Sequence, residues 1–382
     1  MRITIVVSSL TAGGAERAAS VLAGELGQRG NILTMITKSR STSTDYWLPE
    51  SISVLEIGRD SGPQGFFGRL AAVKKRSALL RSLIIKSRPE IVVSFTTIMN
   101  VRTLVACRGL SVPVVVSERN DPARCKIKFK WALMRRILYP RATMLVSVSR
   151  GVDRGFPWLP ERKKRVIPNM VSPALLASTT GQPKKQTNVP QNNDMRPLSI
   201  LAVGRLTYQK GFDLLIAALA RINGKVPPWR LTIVGSGPEE FHLQKLIDDN
   251  SMQNKVAIHG FTSDIAAYYR ESDVFVLSSR YEGMPNTVLE AMSFGLLVIS
   301  FKCPSGPDEI ITHSYDGLLV EPENIQALAD AISWALKDEA LRKTLAVKAK
   351  KTIQEKFAPD IISRKWDKLF EKMLAPRKRP DN

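Results

Sequence analysis

Short apolar, β-branched runs alternate with helical patterns along almost the whole chain, and the alternation occurs twice around one polar break. RITIVVS (2–8) leads through a turn with two glycines into a helical pattern over 15–29. Further strand-like runs lie at 33–37, 52–57, 90–95, 112–117 and 143–148. Strands covered on both faces read as continuous apolar runs, and βα alternation builds a parallel sheet with helices on its faces. Residues 172–197, SPALLASTTGQPKKQTNVPQNNDMRP, have the Pro, Gln, Asn, Ser and Thr content of a linker. A second series follows, with strands at 198–204, 230–235, 255–259, 274–278, 297–300 and 317–320. Helical patterns at 212–222, 239–250, 263–271, 286–294 and 324–337 separate them, and two long charged ones, 339–356 and 359–375, close the chain. The pattern predicts an α/β protein of two doubly wound, Rossmann-like domains facing a central cleft. The expected boundaries are 1–171, a linker at 172–197, 198–358, and a helix with tail at 359–382 packing back towards the first domain.

The charge is divided as unevenly as the pattern is regular. Residues 1–196 carry 32 Lys and Arg against 12 Asp and Glu, a net +20, whereas residues 197–382 carry 24 against 23, a net +1. A polyanionic partner is therefore expected for the first half alone. With 44% hydrophobic and 24% charged residues, the chain is no disordered polycation, collagen-like fibre or multispan membrane protein. The apolar start is too short for a signal peptide's core or a spanning helix, and no continuous apolar stretch approaches ~20 residues. Cys107, Cys125 and Cys303 are scattered without CxxC spacing, which speaks against a disulfide framework or zinc site and fits a reducing cytoplasm.

Doubly wound sheets bind ligands beyond the carboxyl ends of their strands. Three loops of the second half are distinctive there. VGRLTYQKGFD places Arg205 and Lys210 in one strand-to-helix loop, with Gly211 before the helix. Two cations at a helix N-terminus suit a diphosphate, although a solvated loop also carries such residues. GSGPEE (235–240) reads better as a structural turn than as a phosphate loop. In YEGMPNTVLEAMSFG, Glu282 precedes Gly283, Met284, Pro285 and Asn286, and Glu290 lies eight residues on. Pro285 and Asn286 are helix-start residues whose neighbouring amides suit an anion, while two solvated Glu on a surface helix are the plain alternative. Taken together, cations for a diphosphate and a carboxylate for ribose hydroxyls are the parts a sugar nucleotide needs.

The run GR-x4-KG at 204–211 and EGMPNTVLE at 282–290 resemble the retaining glycosyltransferases of family 4, which have the GT-B fold. GGAER (13–17), SERNDP (117–122), CPSGPDEII (303–311) and DGLLV (316–320) look like the same family, so the resemblance runs over nearly the whole chain. SERNDP and SGPDEII resemble members that build bacterial surface polysaccharides on a polyprenyl diphosphate carrier.

The resemblance implies that Arg205 and Lys210 bind the donor diphosphate and, with Glu282, form the catalytic set. Glu282 and the amides of Gly283, Met284, Pro285 and Asn286 would hold the donor sugar and its phosphate, and Glu290 the ribose. Gly13 and Gly14 would close over the donor phosphates from the first, acceptor-binding domain, where Glu118, Arg119 and Asn120 are acceptor-side candidates. It implies a nucleotide-sugar donor, a UDP-hexose or UDP-N-acetylhexosamine, and a hexosyl transfer to a polyprenyl-diphosphate-linked saccharide. O-antigen, capsule or exopolysaccharide would be the product. No metal or other cofactor is expected, since two side-chain cations offset the charge and there is no Asp-x-Asp motif. One departure stands out: some relatives carry a His in the first domain, whereas His242, His259 and His313 all lie in the second half.

The cationic half has two basic segments with apolar residues at helical spacing, 66–88 and 123–141. Lys74, Lys75, Arg76 and Arg81 in the first, and Lys126, Lys128, Lys130 and Trp131 in the second, are expected to face an anionic membrane. No DNA- or RNA-binding motif accompanies the charge, so nucleic acid is not expected as a partner. The enzyme is thus expected in the cytoplasm, peripheral on the inner face of the plasma membrane. The alternative is a basic membrane- or nucleic-acid-binding protein on a GT-B scaffold with vestigial catalytic loops.

Overall fold

The computed structural model describes residues 1–10, 13–38, 48–58, 66–125, 127–179 and 196–375, and for 66–73 the backbone only. The chain divides into two compact units, Met1–Met170 with Pro359–Asn382, and Val171–Ala358. Lys126, most of the expected linker and the end of the tail lie outside the described residues.

The first unit runs β1 (Arg2–Val7), α1 (Gly14–Gln28), β2 (Ile32–Thr37), β3 (Ser53–Glu56), α2 (Phe66–Lys86), β4 (Ile91–Phe95), α3 (Thr97–Ala106), β5 (Val114–Glu118), α4 (Phe129–Leu138), β6 (Met144–Ser147), α5 (Arg150–Arg154) and β7 (Lys164–Val166). Its seven strands are all parallel, in the order β3-β2-β1-β4-β5-β6-β7. Every residue of β4 and β5 is buried, as continuous apolar runs under helices on both faces must be.

The second unit runs α6 (Pro173–Ser178), β8 (Leu198–Val203), α7 (Phe212–Ile222), β9 (Trp229–Val234), α8 (Glu240–Asp249), β10 (Val256–His259), α9 (Ile265–Glu271), β11 (Val274–Leu277), α10 (Asn286–Ser293), β12 (Leu297–Phe301), α11 (Pro307–Ile310), β13 (Leu318–Val320), α12 (Ile325–Lys337) and α13 (Glu339–Lys356). Its six parallel strands take the order β10-β9-β8-β11-β12-β13. Side-chain caps start α12 and α13, where Asn324 and Asp338 accept from the amides of Ala327 and Leu341 at 3.0 and 2.8 Å. The last helix, α14 (Pro359–Leu374), belongs to the first unit, and its Ile362, Trp366, Leu369 and Phe370 join that core beside Ile3, Ala19 and Leu22.

Two elements differ from the sequence reading. The first residues of the expected linker form α6, because Pro173 at the helix start and Ala-Leu-Leu behind it outweigh the polar run that follows. Strand β7 has no apolar pattern, since its Lys164 is a buried cation paired with Glu161 at 2.6 Å and Asp153 at 3.2 Å. Among the described residues no helix is long and apolar enough to cross a membrane.

Candidate functional site

In each sheet the strand order reverses beside the first strand, and that switch point leaves a crevice at the carboxyl ends. In the second unit it falls between β8 and β11. The loops after these strands, 204–211 and 278–285, carry the two motifs singled out in the sequence.

Lys210 and Glu282 meet there. The Lys210 ammonium donates to Glu282 Oε1 at 2.6 Å, and Ser279 Oγ donates to the same oxygen at 2.7 Å. Both ion-pair partners are largely buried, with side-chain exposures of 15% and 8%, so the carboxylate fixes where the ammonium sits. Oε2 of Glu282 takes no hydrogen bond from the described residues. The Lys210 stem lies over Gly204, where an added Cβ would sit 3.1 to 3.3 Å from three of its carbons. Arg205 is exposed and has no ion pair among the described residues.

Glycine makes this packing possible. Gly211 has φ +62, and a Cβ there would fall 2.1 Å from the Ser278 carbonyl oxygen. Ser278 Oγ in turn donates to the Lys210 carbonyl at 3.0 Å. The GSG loop packs on the same turn: a Cβ on Gly235 would meet the Gly204 carbonyl at 1.9 Å. Those glycines are structural, as the sequence suggested.

Arg280, which sequence reasoning missed, clamps the turn that ends at Lys210. Its guanidinium makes a bidentate pair with Asp213 at 2.9 and 2.6 Å, donates to the Tyr208 carbonyl at 2.7 Å and reaches Glu323 at 3.1 Å. It also stacks 3.8 Å from the Tyr208 ring centre. The Asp213 hydrogen bonds hold its pKa above the ordinary arginine value. No spacing rule connects Arg280 with Asp213, because the pair spans two loops.

Helix α10 begins at Asn286 behind Pro285, so its first turn has no side-chain cap. Thr287 Oγ1 in that turn is buried without a partner, a second residue the sequence reading passed over. An unmatched hydroxyl beside uncapped amides fits an anionic ligand. Glu290, 2% exposed, accepts from the Tyr269 hydroxyl at 2.9 Å. Gly283, Met284 and Pro285 are buried, and Gly306 of the CPSGP loop packs against them, with no room for a Cβ. Cys303 beneath this loop has its thiol pushed up by burial. Among the described residues no three His, Cys, Asp or Glu side chains gather as a metal site would need.

The first unit treats its strand ends differently. Its switch point lies between β1 and β4. Gly13 and Gly14 open α1 there, and a Cβ on Gly13 would sit 2.3 Å from Glu16 Oε2. Glu16, beside these glycines, is held by Ser8 Oγ at 2.6 Å. At the end of β4, Thr96 has φ +73, a strained value for a β-branched residue.

Glu118 and Arg119, expected to face an acceptor, are buried, and only Asn120 is exposed. Glu118 Oε1 accepts from the Tyr139 hydroxyl, from Thr97 Oγ1 at 2.9 Å and from Asn100 Nδ2 at 3.4 Å. Burial raises its pKa, and those hydrogen bonds oppose the rise. Arg119 stacks on the Phe95 ring at 4.7 Å and donates to Asn169 Oδ1 at 2.5 Å, while its Nε has no partner. Burial lowers its pKa to about 9, and the Glu118 charge opposes that. The reason for the difference is positional: β5 lies inside the sheet, and the hydroxyl that satisfies Glu118 comes from Tyr139, beyond the end of α4.

Of the expected membrane-facing residues, Lys74, Lys75, Lys128 and Lys130 are exposed and Arg76 is half-buried. Arg81 points inward and donates to the carbonyls of Ala106 and Arg108 at 2.8 and 2.7 Å, closing the end of α3. Trp131 is half-buried, with Arg102 5.6 Å and Lys130 5.5 Å from its ring centre.

Comparison with known proteins agrees with these features. The profile of the glycosyl transferases group 1 matches residues 184–352, and that of Glycosyltransferase Family 4 matches residues 12–175. A Campylobacter jejuni protein, named GalNAc-alpha-(1->4)-GalNAc-alpha-(1->3)-diNAcBac-PP-undecaprenol alpha-1,4-N-acetyl-D-galactosaminyltransferase, is 26% identical over 97% of this chain and 98% of its own. Sucrose-phosphate synthase of Thermosynechococcus elongatus superposes with a TM-score of 0.82 at 19% identity, over 98% of this chain and 100% of its own. HepE of Anabaena, solved in complex with UDP-glucose, gives 0.78 at 20% identity, over 97% of this chain and 99% of its own. These structural likenesses speak to the fold, which is GT-B. With both halves matched in order, the chain belongs to the group 1 and family 4 glycosyltransferases.

Proposed function

We propose that this glycosyltransferase moves a sugar from a nucleotide-sugar donor, a UDP-hexose or UDP-N-acetylhexosamine, to a polyprenyl-diphosphate-linked saccharide, with retention at the anomeric carbon. The observation that carries the reading is the Lys210–Glu282–Ser279 cluster beside exposed Arg205 and the uncapped start of α10, all at one switch point. The Campylobacter jejuni relative is named for an undecaprenol-PP-linked acceptor, which supports the acceptor class.

In this reading Arg205, Lys210 and the α10 amides receive the donor diphosphate, and Thr287 Oγ1 gains its missing partner. Glu282 has two tasks: Oε1 holds Lys210, and Oε2 accepts a hydroxyl of the donor sugar. Glu290 takes the ribose hydroxyls. The bond from the anomeric carbon to the leaving diphosphate oxygen breaks while the acceptor oxygen bonds on the same face, and the acceptor proton passes to that leaving oxygen. The protein supplies positioning and charge stabilisation. Two side-chain cations do the work a metal does elsewhere, so chelation leaves the rate unchanged. The reaction serves O-antigen, capsule or exopolysaccharide synthesis at the inner face of the plasma membrane, where the cationic unit meets anionic lipid.

A panel of sugar nucleotides offered with polyprenyl diphosphate saccharides, read by mass spectrometry, tests the proposal. One donor is expected to add a single hexosyl or N-acetylhexosaminyl unit, with release of its nucleoside diphosphate and with chelator present. A folded protein that extends none of these acceptors overturns the acceptor class. An inverted linkage in the product overturns retention.

A further inference from the structure

Besides Lys130, helix α4 exposes a row of apolar residues. No side chain of this helix is buried. Phe129 is 80% exposed, Leu133 48% and Ile137 53%. At about 100° per residue these three fall within roughly 80° of the helix circumference, with Arg136 on one flank and Lys130 on the other. Trp131 and Leu138 lie on the half-buried side, and Tyr139 beyond them is wholly buried. Helix α3 packs against both α2 and α4, and Leu79 and Ile85 of α2 and Ile98 and Val105 of α3 are exposed as well.

The charge around this patch has one sign. No Asp or Glu occurs between Asp121 and Asp153. On α3, burial and, less, the nearby Arg76 lower the pKa of Arg102. An apolar ridge bracketed by cations matches an anionic bilayer, with lipid headgroups for the Lys and Arg side chains and the acyl boundary for Phe, Leu and Ile. A second copy of this chain would bring the same positive rim against it. The ridge is also firmly mounted. Tyr139, directly after α4, is held by Glu118 and by Asn100 Nδ2 at 3.0 Å, and Arg102 stacks on Trp131.

We propose that α4 is an insertion helix, whose Phe129, Leu133 and Ile137 enter the interface of an anionic bilayer while Lys128, Lys130 and Arg136 hold its headgroups. This rests on the membrane-surface reading above and adds to it an apolar component that salt does not screen.

Vesicle flotation of the full chain tests both. The vesicles are phosphatidylcholine alone or with about 30% phosphatidylglycerol. Phe129→Ser/Leu133→Ser/Ile137→Ser is expected to keep its melting temperature and donor turnover but to lose about tenfold in vesicle affinity at low and high salt alike. Lys128→Gln/Lys130→Gln/Arg136→Gln is expected to lose only the preference for phosphatidylglycerol, as high salt does to wild type. Wild-type flotation by the apolar triple variant overturns insertion and leaves the membrane reading standing. A wild type that floats with neither vesicle, yet glycosylates a detergent-solubilised acceptor, overturns both and leaves the transferase intact. Sedimentation showing a wild-type dimer that the apolar variant abolishes, with flotation unchanged, assigns the ridge to self-association instead.

Discussion

The two units carry the same kind of sheet, parallel and reversing beside its first strand, but they treat their carboxyl ends in opposite ways. In the second unit the ends of β8 and β11 are drawn together through glycines until carbonyls and Cα atoms touch, and the cations stand where the crevice opens. In the first unit the end of β5 is closed over, with Glu118 and Arg119 buried among partners, and the cations lie on outer helices. A common scaffold thus gathers a few charged side chains in loops in one case and spreads many over helices in the other. The near-neutral charge of the second half and the +20 of residues 1–196 follow from this. A small ligand needs two well-placed cations, and an extended one needs many.

The largest expected effect sharpens the contrast between a held cation and a free one within the second unit. Arg205→Ala and Lys210→Ala should each lower sugar transfer by about 100-fold or more, because each removes charge stabilisation of the leaving diphosphate. Their stabilities should differ. Arg205 is exposed and has no ion pair among the described residues, so its loss costs nothing measurable in a urea titration. Lys210→Ala leaves Glu282 buried without its counter-ion, at about 3 kcal/mol, and Glu282→Gln in the same chain should restore most of that stability but not the rate. Wild-type turnover in both folded single variants would sink the diphosphate assignment.

The next effect separates the two kinds of glycine. Gly235→Ala drives a methyl to 1.9 Å from the Gly204 carbonyl, and backbone has little room to yield. A loss of about 3 kcal/mol in denaturant unfolding, together with a fall in donor affinity, is expected. Gly13→Ala in the first unit meets only the flexible Glu16 carboxylate, which can swing away, so about 1 kcal/mol at most is expected. Equal costs would mean that the loops of the two units are built alike after all.

Most of the architecture was legible in the sequence because strand and helix periodicity is a local signal. Helix α7 and helix α13 fall where the pattern placed them, and the glycine loops were read as turns. The placement of Arg205, Lys210 and Glu282 in strand-end loops was legible because short motifs keep charged residues there. Arg280 was not, since its meaning comes from Asp213 and Glu323 on other segments. The burial of Glu118 and Arg119 was not legible for the same reason: their partners Tyr139 and Asn169 are distant in sequence. At α4 the basic residues Lys128 and Lys130 are exposed as the pattern suggested, whereas Trp131 is half-buried beside Arg102, a contact between two helices that periodicity does not reveal.

A smaller effect tests whether the closed end of β5 is held by Tyr139. Tyr139→Phe keeps the ring against Phe156 at 6.0 Å between centres and removes only the hydroxyl shared with Glu118 and Asn100. A loss of about 2 kcal/mol is expected, since a buried acceptor loses a donor. Unchanged stability would show that the carboxylate is satisfied without it.

The smallest effect is a pH dependence, and it arises at Glu118 in the first unit. The pKa of Glu118 is raised in the folded protein because burial disfavours its charged form. The folded state therefore holds this proton more tightly than the unfolded chain does. Its contribution is fully present below the ordinary carboxylate pKa of about 4.3 and is lost as pH rises through the higher folded value. Difference titrations between wild type and Glu118→Gln should show a steeper fall in wild type, because Gln fills the site without a charge to form, while Glu25, whose pKa burial also raises, contributes equally to both. Lys210→Ala/Glu282→Gln, made in the second unit, should leave the slope in place. An unchanged slope in Glu118→Gln would place the titrating group elsewhere and overturn the idea that the end of β5 is closed at the expense of a buried charge.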